Sequence, residues 1–485
     1  MIKNMLSIFE GLQSGIQADD SQRMALEALE DFLRHDQEKG VLVMTGPAGS
    51  GKTFMRKALV RWMRQEGLPV VLLAPTGRAA KVLAQTTRCR ANTLHRQLYR
   101  PVEDDLINGR GFRVRFELKA MEKDEPCVFV VDEASMMGNG SGGGESLLTD
   151  LLQQIHESSS WHKIIIVGDP FQLPPVGETE SPAFLPGSWT PWGCDFRKIE
   201  LAGRYRQSAL SPVLNLAGCL LDWMQWEKQC KEGTLCHAEG GGNGGYKSGG
   251  WWTEFGEWIR AYAEGGSEEE PLMHASLHTA ILDFEKHYEP GQSVLLAYSN
   301  AWASKFNNGY RNRRFGNQVA RPSAGESLLV VRNQYLNGGH LLANGEEIRF
   351  LKRIGKTHQH AGMSWINGLL EWIGMDGEER TFEGKLCLDL LQSGQSSLSP
   401  VQQQALRHHR VVEPDSMEKD PYMAALWVKY PYAQTVHKAQ GGAWSRVYLL
   451  LERPYAVQDP ISYLRWLYTA VTRCSDRLIF VQPKP

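Results

Sequence analysis

Gly46-Pro47-Ala48-Gly49-Ser50-Gly51-Lys52-Thr53 fits the spacing G-x-x-x-x-G-K-[ST], and its flanks decide what kind of domain holds it. The apolar run Val41 to Met44 precedes it, and Phe54 to Met63 follows with apolar residues at helical spacing. Strand, glycine loop and helix in that order aim a row of backbone N–H groups at one point, at the positive end of the helix. A phosphate fits there. Lys52 adds the cation for the β- and γ-phosphates, and Thr53 offers a hydroxyl to Mg2+. The eight residues Gly46, Pro47, Ala48, Gly49, Ser50, Gly51, Lys52 and Thr53 therefore form a candidate ATP loop.

The pattern recurs outward from this loop. Val70 to Leu73, Val128 to Val131 and Ile164 to Val167 are short, wholly apolar and rich in β-branched residues, as strands buried on both faces are. An α/β domain follows. Asp132 and Glu133 end the second of these runs, at the strand end where open α/β sheets bind ligands. An acidic pair after a strand is ordinarily a solvated turn; downstream of a phosphate loop it reads as Asp132 for Mg2+ and Glu133 as the base that orients the attacking water. Gln22 lies upstream of the loop, where its carboxamide can pair with adenine N6 and N7, or close a capping box with Asp19.

Composition bounds the rest. A chain of 485 residues exceeds what one hydrophobic core serves, and 42% hydrophobic with 22% charged residues excludes a disordered, fibrous or membrane class. Formal net charge is −2, so a phosphate-binding surface must be a local groove. Eight cysteines without a CxxC pair, and no apolar leader, point to reduced thiols and the cytoplasm. Cys230, Cys236 and His237 fit no common zinc spacing.

Between Pro101 and Asp124 the chain turns polar, with an alternation around Gly109 to Phe116 that suits a small inserted β-hairpin. A helical, Trp-rich stretch after Arg206 leads into a glycine-rich loop at about 239–250. Val294 to Ala297 opens a second α/β region, which Val447 to Leu451 and Leu478 to Val481 complete as strands of the same sheet. Short β-like runs with Gly and Asn turns fill about 327–426, as a small β-barrel would. The expected division is 1–200 and 201–485, with no repeat and no transmembrane span.

With these residues in hand, the chain resembles the RecD/Dda type of superfamily 1 helicase, the branch that moves 5′ to 3′ on single strands. Ala74-Pro75-Thr76-Gly77-Arg78 is similar to the family's segment Ia, and Thr93-Leu94-His95 to Ib. Gly168-Asp169-Pro170-Phe171-Gln172 is similar to motif III, whose glutamine links the γ-phosphate to the strand groove. Leu201-Ala202-Gly203-Arg204-Tyr205-Arg206 is similar to motif IV, Tyr432 to Gly441 to motif V, and Leu467 to Arg473 to motif VI. Ala439 stands where the family often carries serine.

The resemblance implies two RecA-like P-loop NTPase core domains, a strand-separating pin at the hairpin and an SH3-like β-barrel insertion. It makes Lys52, Glu133, Gln172, Arg206 and Arg473 the catalytic set, the two arginines reaching the γ-phosphate from the second domain. Pro75, Thr76, Arg78, Thr93, His95, Ser299, Asn300, Thr435, His437 and Lys438 become strand contacts, mainly to phosphates. ATP and Mg2+ are the implied cofactors. Single-stranded DNA and a forked duplex are the implied partners of a monomeric motor, with protein partners of a DNA-processing complex also open. Two alternatives stay open as well: an ATP-switched nucleic-acid-binding regulator, and an RNA helicase of the same branch, since no reader of the 2′-OH is evident.

Overall fold

Every residue from Gly40 to Thr45 is buried, and the two faces of this strand feed different cores. Leu42 and Met44 enter one hydrophobic cluster, Val41 and Val43 the other. Such a strand has no polar side to show, which is why its sequence is continuously apolar. It belongs to a computed structural model that describes residues 4–13, 17–34, 39–103, 114–120, 125–140, 146–158, 162–201, 212–231, 250–266, 272–316, 321–336, 341–374, 377–395, 397–411, 420–452 and 459–483. The chain falls into two units. Met1–Arg206, Tyr335–Asn344 and Ile373–Glu378 make the first, and Gln207–Gln334, Gly345–Trp372 and Glu379–Pro485 the second.

In the first unit α1 (Met5–Glu10) and α2 (Asp20–Arg34) lead to β1 (Gly40–Thr45), α3 (Lys52–Gln65), β2 (Val70–Ala74), α4 (Gly77–Thr87), β3 (Ala91–Thr93) and α5 (Leu94–Leu98). Then come β4 (Tyr99–Glu103), β5 (Val114–Leu118), β6 (Cys127–Val131), α6 (Leu147–His156), β7 (His162–Gly168) and β8 (Asp195–Glu200). Six strands form one parallel sheet in the order β3-β2-β6-β7-β1-β8. Alternation runs through it: Val128 and Val130 face the cluster that α2, α3 and α4 cover, while Phe129 and Val131 face the one that α5 and α6 cover. Each fully buried side chain of this size contributes roughly 1.5–3 kcal/mol. β4 and β5 pair antiparallel from Tyr99↔Leu118 to Glu103↔Val114; the turn expected near Gly109 lies outside the described residues.

The second unit runs through α7 (Pro212–Lys231), α8 (Gly250–Glu264), β9 (Met273–His274), α9 (Leu277–His287), β10 (Ser293–Ala297) and α10 (Asn300–Phe315). After these come β11 (Glu326–Val330), β12 (Gln334–Tyr335) at the boundary, β13 (Leu341–Leu342), which belongs to the first unit, and then β14 (Glu347–His360), β15 (Met363–Ile373), β16 (Glu379–Cys387), α11 (Leu388–Gln392) and α12 (Pro400–His408). It closes with β17 (Val428–Lys429), β18 (Ala433–Thr435), α13 (Val436–Ala439), β19 (Trp444–Leu450), α14 (Pro460–Val471) and β20 (Cys474–Val481). A parallel sheet β18-β10-β19-β20-β9 is its core. Strand β18 is an edge, and Asn307 of α10 covers it by donating to Ala433 O and accepting from Ala433 N, each at 2.9 Å.

The insertion is a five-stranded sheet, β16-β15-β14-β11-β17. It is joined to the core by a buried pair, Arg311 on Glu326 at 2.6 Å, with the Tyr432 hydroxyl donating to the same carboxylate at 2.9 Å. Such a pair fixes geometry more than it adds stability. An all-β reading of 327–426 is corrected at α11 and α12. Ser399 and Gln402 close a capping box around Pro400, which starts α12. Among the described residues no helix is long and apolar enough to cross a membrane.

Candidate active site

Register decides the site. β1 pairs with β7 so that Thr45 lies beside Gly168, and β7 pairs with β6 so that Ile166 lies beside Val131. The residues that follow, Gly46, Asp169 and Asp132, therefore leave the sheet side by side at one edge. Three stretches separated by up to 123 positions (46 to 169) become neighbours.

The loop itself is shaped by glycine. Gly49 and Gly51 have φ of +80° and +89°, and Gly51 caps α3. A Cβ on Gly46 would meet Ser50 Oγ at 2.6 Å and Leu201 Cβ at 2.9 Å, so nothing larger fits. Lys52 Nζ donates to Gly46 O and Pro47 O and stands 3.7 Å from an Asp169 carboxylate oxygen. Gln22 is fully buried; its amide donates to Ser50 O at 3.2 Å while its oxygen accepts from Asp19 N at 3.3 Å. Asp19 in turn accepts from Gln22 N at 2.8 Å, so the box foreseen for this pair is formed and also grips the loop.

Asp132 is 8% exposed, and its N–H donates to Leu73 O at 2.9 Å. Its carboxylate is paired with Arg56, a residue to which the sequence reading gave no role. Burial pushes the Arg56 guanidinium down to about 10, against the opposing charge of Glu133. Thr53 is exposed, and a hydroxyl with a carboxylate is a hard-oxygen donor set that suits Mg2+. Glu133 adopts φ 53°, ψ 39°, a left-handed conformation that costs a non-glycine residue about 1–3 kcal/mol. Gln172 is 5% exposed, and its Oε1 is buried without a hydrogen-bond partner. An orphaned buried acceptor is suited to a water or a protonated group.

At the far edge of the same sheet, β2 and β3 end together, with Ala74 beside Thr93. Thr76 caps α4 by accepting from Ala79 N at 3.2 Å, and Thr93 caps α5 by accepting from Arg96 N at 3.1 Å. Pro75 and Arg78 flank Thr76 half-buried, while His95 is buried against Tyr99 with ring centroids 5.0 Å apart. Gly77 N donates to Asn344 O at 3.4 Å.

The second unit repeats the arrangement at its own edge. β10 and β18 end with Ala297 beside Thr435. Ser299 caps α10, and its hydroxyl also donates to Glu452 at 3.1 Å. Burial raises the Glu452 pKa against the hydrogen bonds from Tyr298 and Ser299. Asn300 accepts from Lys438 Nζ at 3.1 Å, and His437 is exposed. Asn300 and Lys438 line a cleft whose wall includes Gln434 and Lys429. Lys429 donates to the oxygens of Leu390 and Ser393, and desolvation followed by repulsion from Lys438 pushes its pKa down to about 8. Sequence reading missed Lys429 because only the fold sets it beside Lys438. Arg473 is buried, donating to Thr469 O at 3.1 Å and Gly442 O at 3.2 Å. Arg206, the glycine-rich loop and the pair Cys236 and His237 lie outside the described residues.

Strand, glycine loop and helix, with acidic residues on the next two strand ends, define the first unit as a P-loop nucleotide-binding unit. The AAA domain family matches residues 17–186, and the UvrD-like helicase C-terminal domain family matches residues 430–481. The chain is 34% identical over 182 residues to the ATP-dependent RecD2 DNA helicase of Deinococcus radiodurans, covering 37% of this chain and 22% of that protein. To the ATP-dependent DNA helicase dda of Enterobacteria phage T4 it is 30% identical over 186 residues, covering 37% and 38%. A structure of two Pif1 helicases at forked double-stranded DNA aligns at TM-score 0.49 and 14% identity, covering 97% of this chain and 92% of that one. The family matches and the two curated relatives bear out the resemblance to RecD/Dda-type superfamily 1 helicases. The chain spans well under half the length of the two curated relatives.

Proposed function

We propose that the chain is an ATP-dependent translocase and helicase on single-stranded DNA, moving 5′ to 3′. The observation that carries this is the first unit's sheet, which ends in the phosphate loop, Asp132 and Asp169 at three adjacent strands and in the helix caps Thr76 and Thr93 at the next two. One rigid sheet thus holds both a nucleotide seat and a strand edge.

In this reading Lys52 and the loop N–H groups hold the phosphates, and Gln22 orders the loop and selects adenine. Glu133 orients the attacking water. Thr53 and Asp132 hold Mg2+, which when bound neutralises the β- and γ-oxygens. Gln172 links the γ-phosphate to the strand edge. Arg206 and Arg473 serve as fingers for developing phosphoryl charge, a role that in related enzymes is worth about 10³–10⁵ in rate. Pro75, Thr76, Arg78, Thr93 and His95 contact the strand from one RecA-like domain, and Asn300, Thr435, His437 and Lys438 from the other, with Lys429 added to the set. Ser299 acts through the α10 terminus. Domain closure on ATP, and opening after hydrolysis, would shift one edge along the strand. The β4–β5 pair serves as the pin, and the inserted sheet as the SH3-like brace on a forked duplex.

Lys52→Ala is expected to abolish ATP turnover stimulated by single-stranded DNA while oligonucleotide binding persists; stimulated turnover that survives would remove the site assignment. Forked substrates with only a 5′ or only a 3′ tail test direction. Unwinding from the 3′ tail alone would refute the branch, and hydrolysis without displacement would favour the ATP-switched regulator.

A further inference from the structure

Arg56 lies one helical turn after Lys52, and at that spacing both side chains emerge on one face of α3. It is 5% exposed. The guanidinium is held at two points: Nη1 pairs with Asp132 Oδ2, and Nη2 donates to Thr86 Oγ1 at 2.9 Å, while Nε is buried without a partner. Thr86 sits near the end of α4, and its hydroxyl lies 2.8 Å from Val82 O and 3.1 Å from Leu83 O of the preceding turn. The other end of α4 is capped by Thr76, at the strand edge. A continuous polar connection therefore runs from the carboxylate of Asp132, through one planar cation, to the helix that presents the strand contacts.

We propose that Arg56 is a positioning residue that couples the metal seat to strand binding, because its guanidinium and a divalent cation compete for the single carboxylate of Asp132. This rests on the nucleotide and strand reading above. A guanidinium cannot lose its charge at physiological pH, so it cannot yield to a metal by deprotonating. When a dication takes Asp132, Nη1 loses its counter-ion and is repelled, and the movement is transmitted through Nη2 to Thr86 and α4. Linkage requires the reverse as well: a strand that shifts α4 alters the affinity of Asp132 for the metal.

The test uses equilibrium binding of fluorescein-labelled oligo-dT to the full chain, once in EDTA without nucleotide and once with saturating ADP and Mg2+. Coupled sites commonly differ by about five- to 150-fold, so the wild type is expected to show a ratio of at least about fivefold. Thr86→Val keeps the shape of α4 and removes the acceptor; it should bring the ratio to within about twofold of one while the EDTA affinity is retained. Arg56→Met should lower the Mg2+ concentration that half-saturates ADP binding by several fold, and Thr86→Val should leave that concentration unchanged. Should Arg56→Met fail to fold, Arg56→Lys and Thr86→Val still decide the matter. A wild-type ratio that persists in Thr86→Val and Arg56→Lys overturns the coupling alone. A wild type that binds no oligo-dT overturns the strand reading, and this inference with it.

Discussion

Thr93-Leu94-His95 and Thr435-Val436-His437 occupy the same place in two different sheets. Each follows an edge strand, each strand pairs with a neighbour that itself ends in a hydroxyl-capped helix, and the registers match: Ala74 beside Thr93, Ala297 beside Thr435. The difference lies in what the side chains do. Thr93 spends its hydroxyl on Arg96 N and His95 is buried on Tyr99, whereas Thr435 makes no cap bond and His437 is exposed. One edge is consolidated by its cap and its buried ring, and the other leaves a buried threonine uncapped and exposes the histidine that follows. Among the described residues the first sheet carries the glycine loop, so under the proposed function the nucleotide seat belongs to the first unit and the second adds Arg473 and further strand contacts.

The sharpest way to break this contrast is to remove the chemistry that only one unit has. Glu133→Gln should reduce turnover stimulated by single-stranded DNA by about 10²–10⁴-fold, the usual share of a positioned base, with nucleotide binding retained in a fluorescent ADP titration. An equal loss of ADP binding would mean that Glu133 shapes the loop and does not act as the base.

A smaller effect tests the second unit's edge. Lys429 is held at about 8, so strand affinity should fall as pH rises through that value and its charge is lost. The sign for folding is opposite. Because the folded state holds the proton less tightly than the unfolded chain, the charged form opposes folding below about pH 8, and that penalty is relieved as pH rises toward the ordinary lysine value. Lys429→Met should flatten the affinity profile in this window and reduce the slope of log affinity against log salt by about 0.7, the loss of one single-strand phosphate contact. An unchanged profile would take Lys429 out of the groove.

The smallest effects separate the two threonines. Thr93→Val should cost about 1 kcal/mol in a denaturant melt, as a lost helix cap does, and should weaken strand affinity less than Thr435→Val does, because the Thr93 hydroxyl is already committed to Arg96 N. Thr435→Val should show the reverse. If both variants behave alike, the contrast between the two edges is wrong.

The phosphate loop, the Asp132 and Glu133 pair and the Gly168 to Gln172 stretch were legible because each is contiguous, and its chemistry is set by neighbours one to seven positions away. The capping box at Ser399 and Gln402 was equally contiguous, and an all-β reading of the insertion passed over it. Arg56 was different in kind. Nothing near it along the chain marks it as more than one of the basic residues of an amphipathic helix, and its partner lies 76 positions on. Gln22 was half legible: the local cap could be seen, the bond to Ser50 could not.

The sequence by itself determined that a phosphate loop, an acidic strand end and two α/β sheets would form, because glycine conformations, helix spacing and continuous apolar runs act over a few residues. Only tertiary structure decided strand order and register, and these place Asp132, Asp169 and the loop at one edge. They also leave Asp132 bound to a cation that no local pattern along the chain singles out. Hydrophobic burial that orders the sheet is non-directional and specifies no particular partner, so pairings of this kind arise only when the whole sheet is assembled.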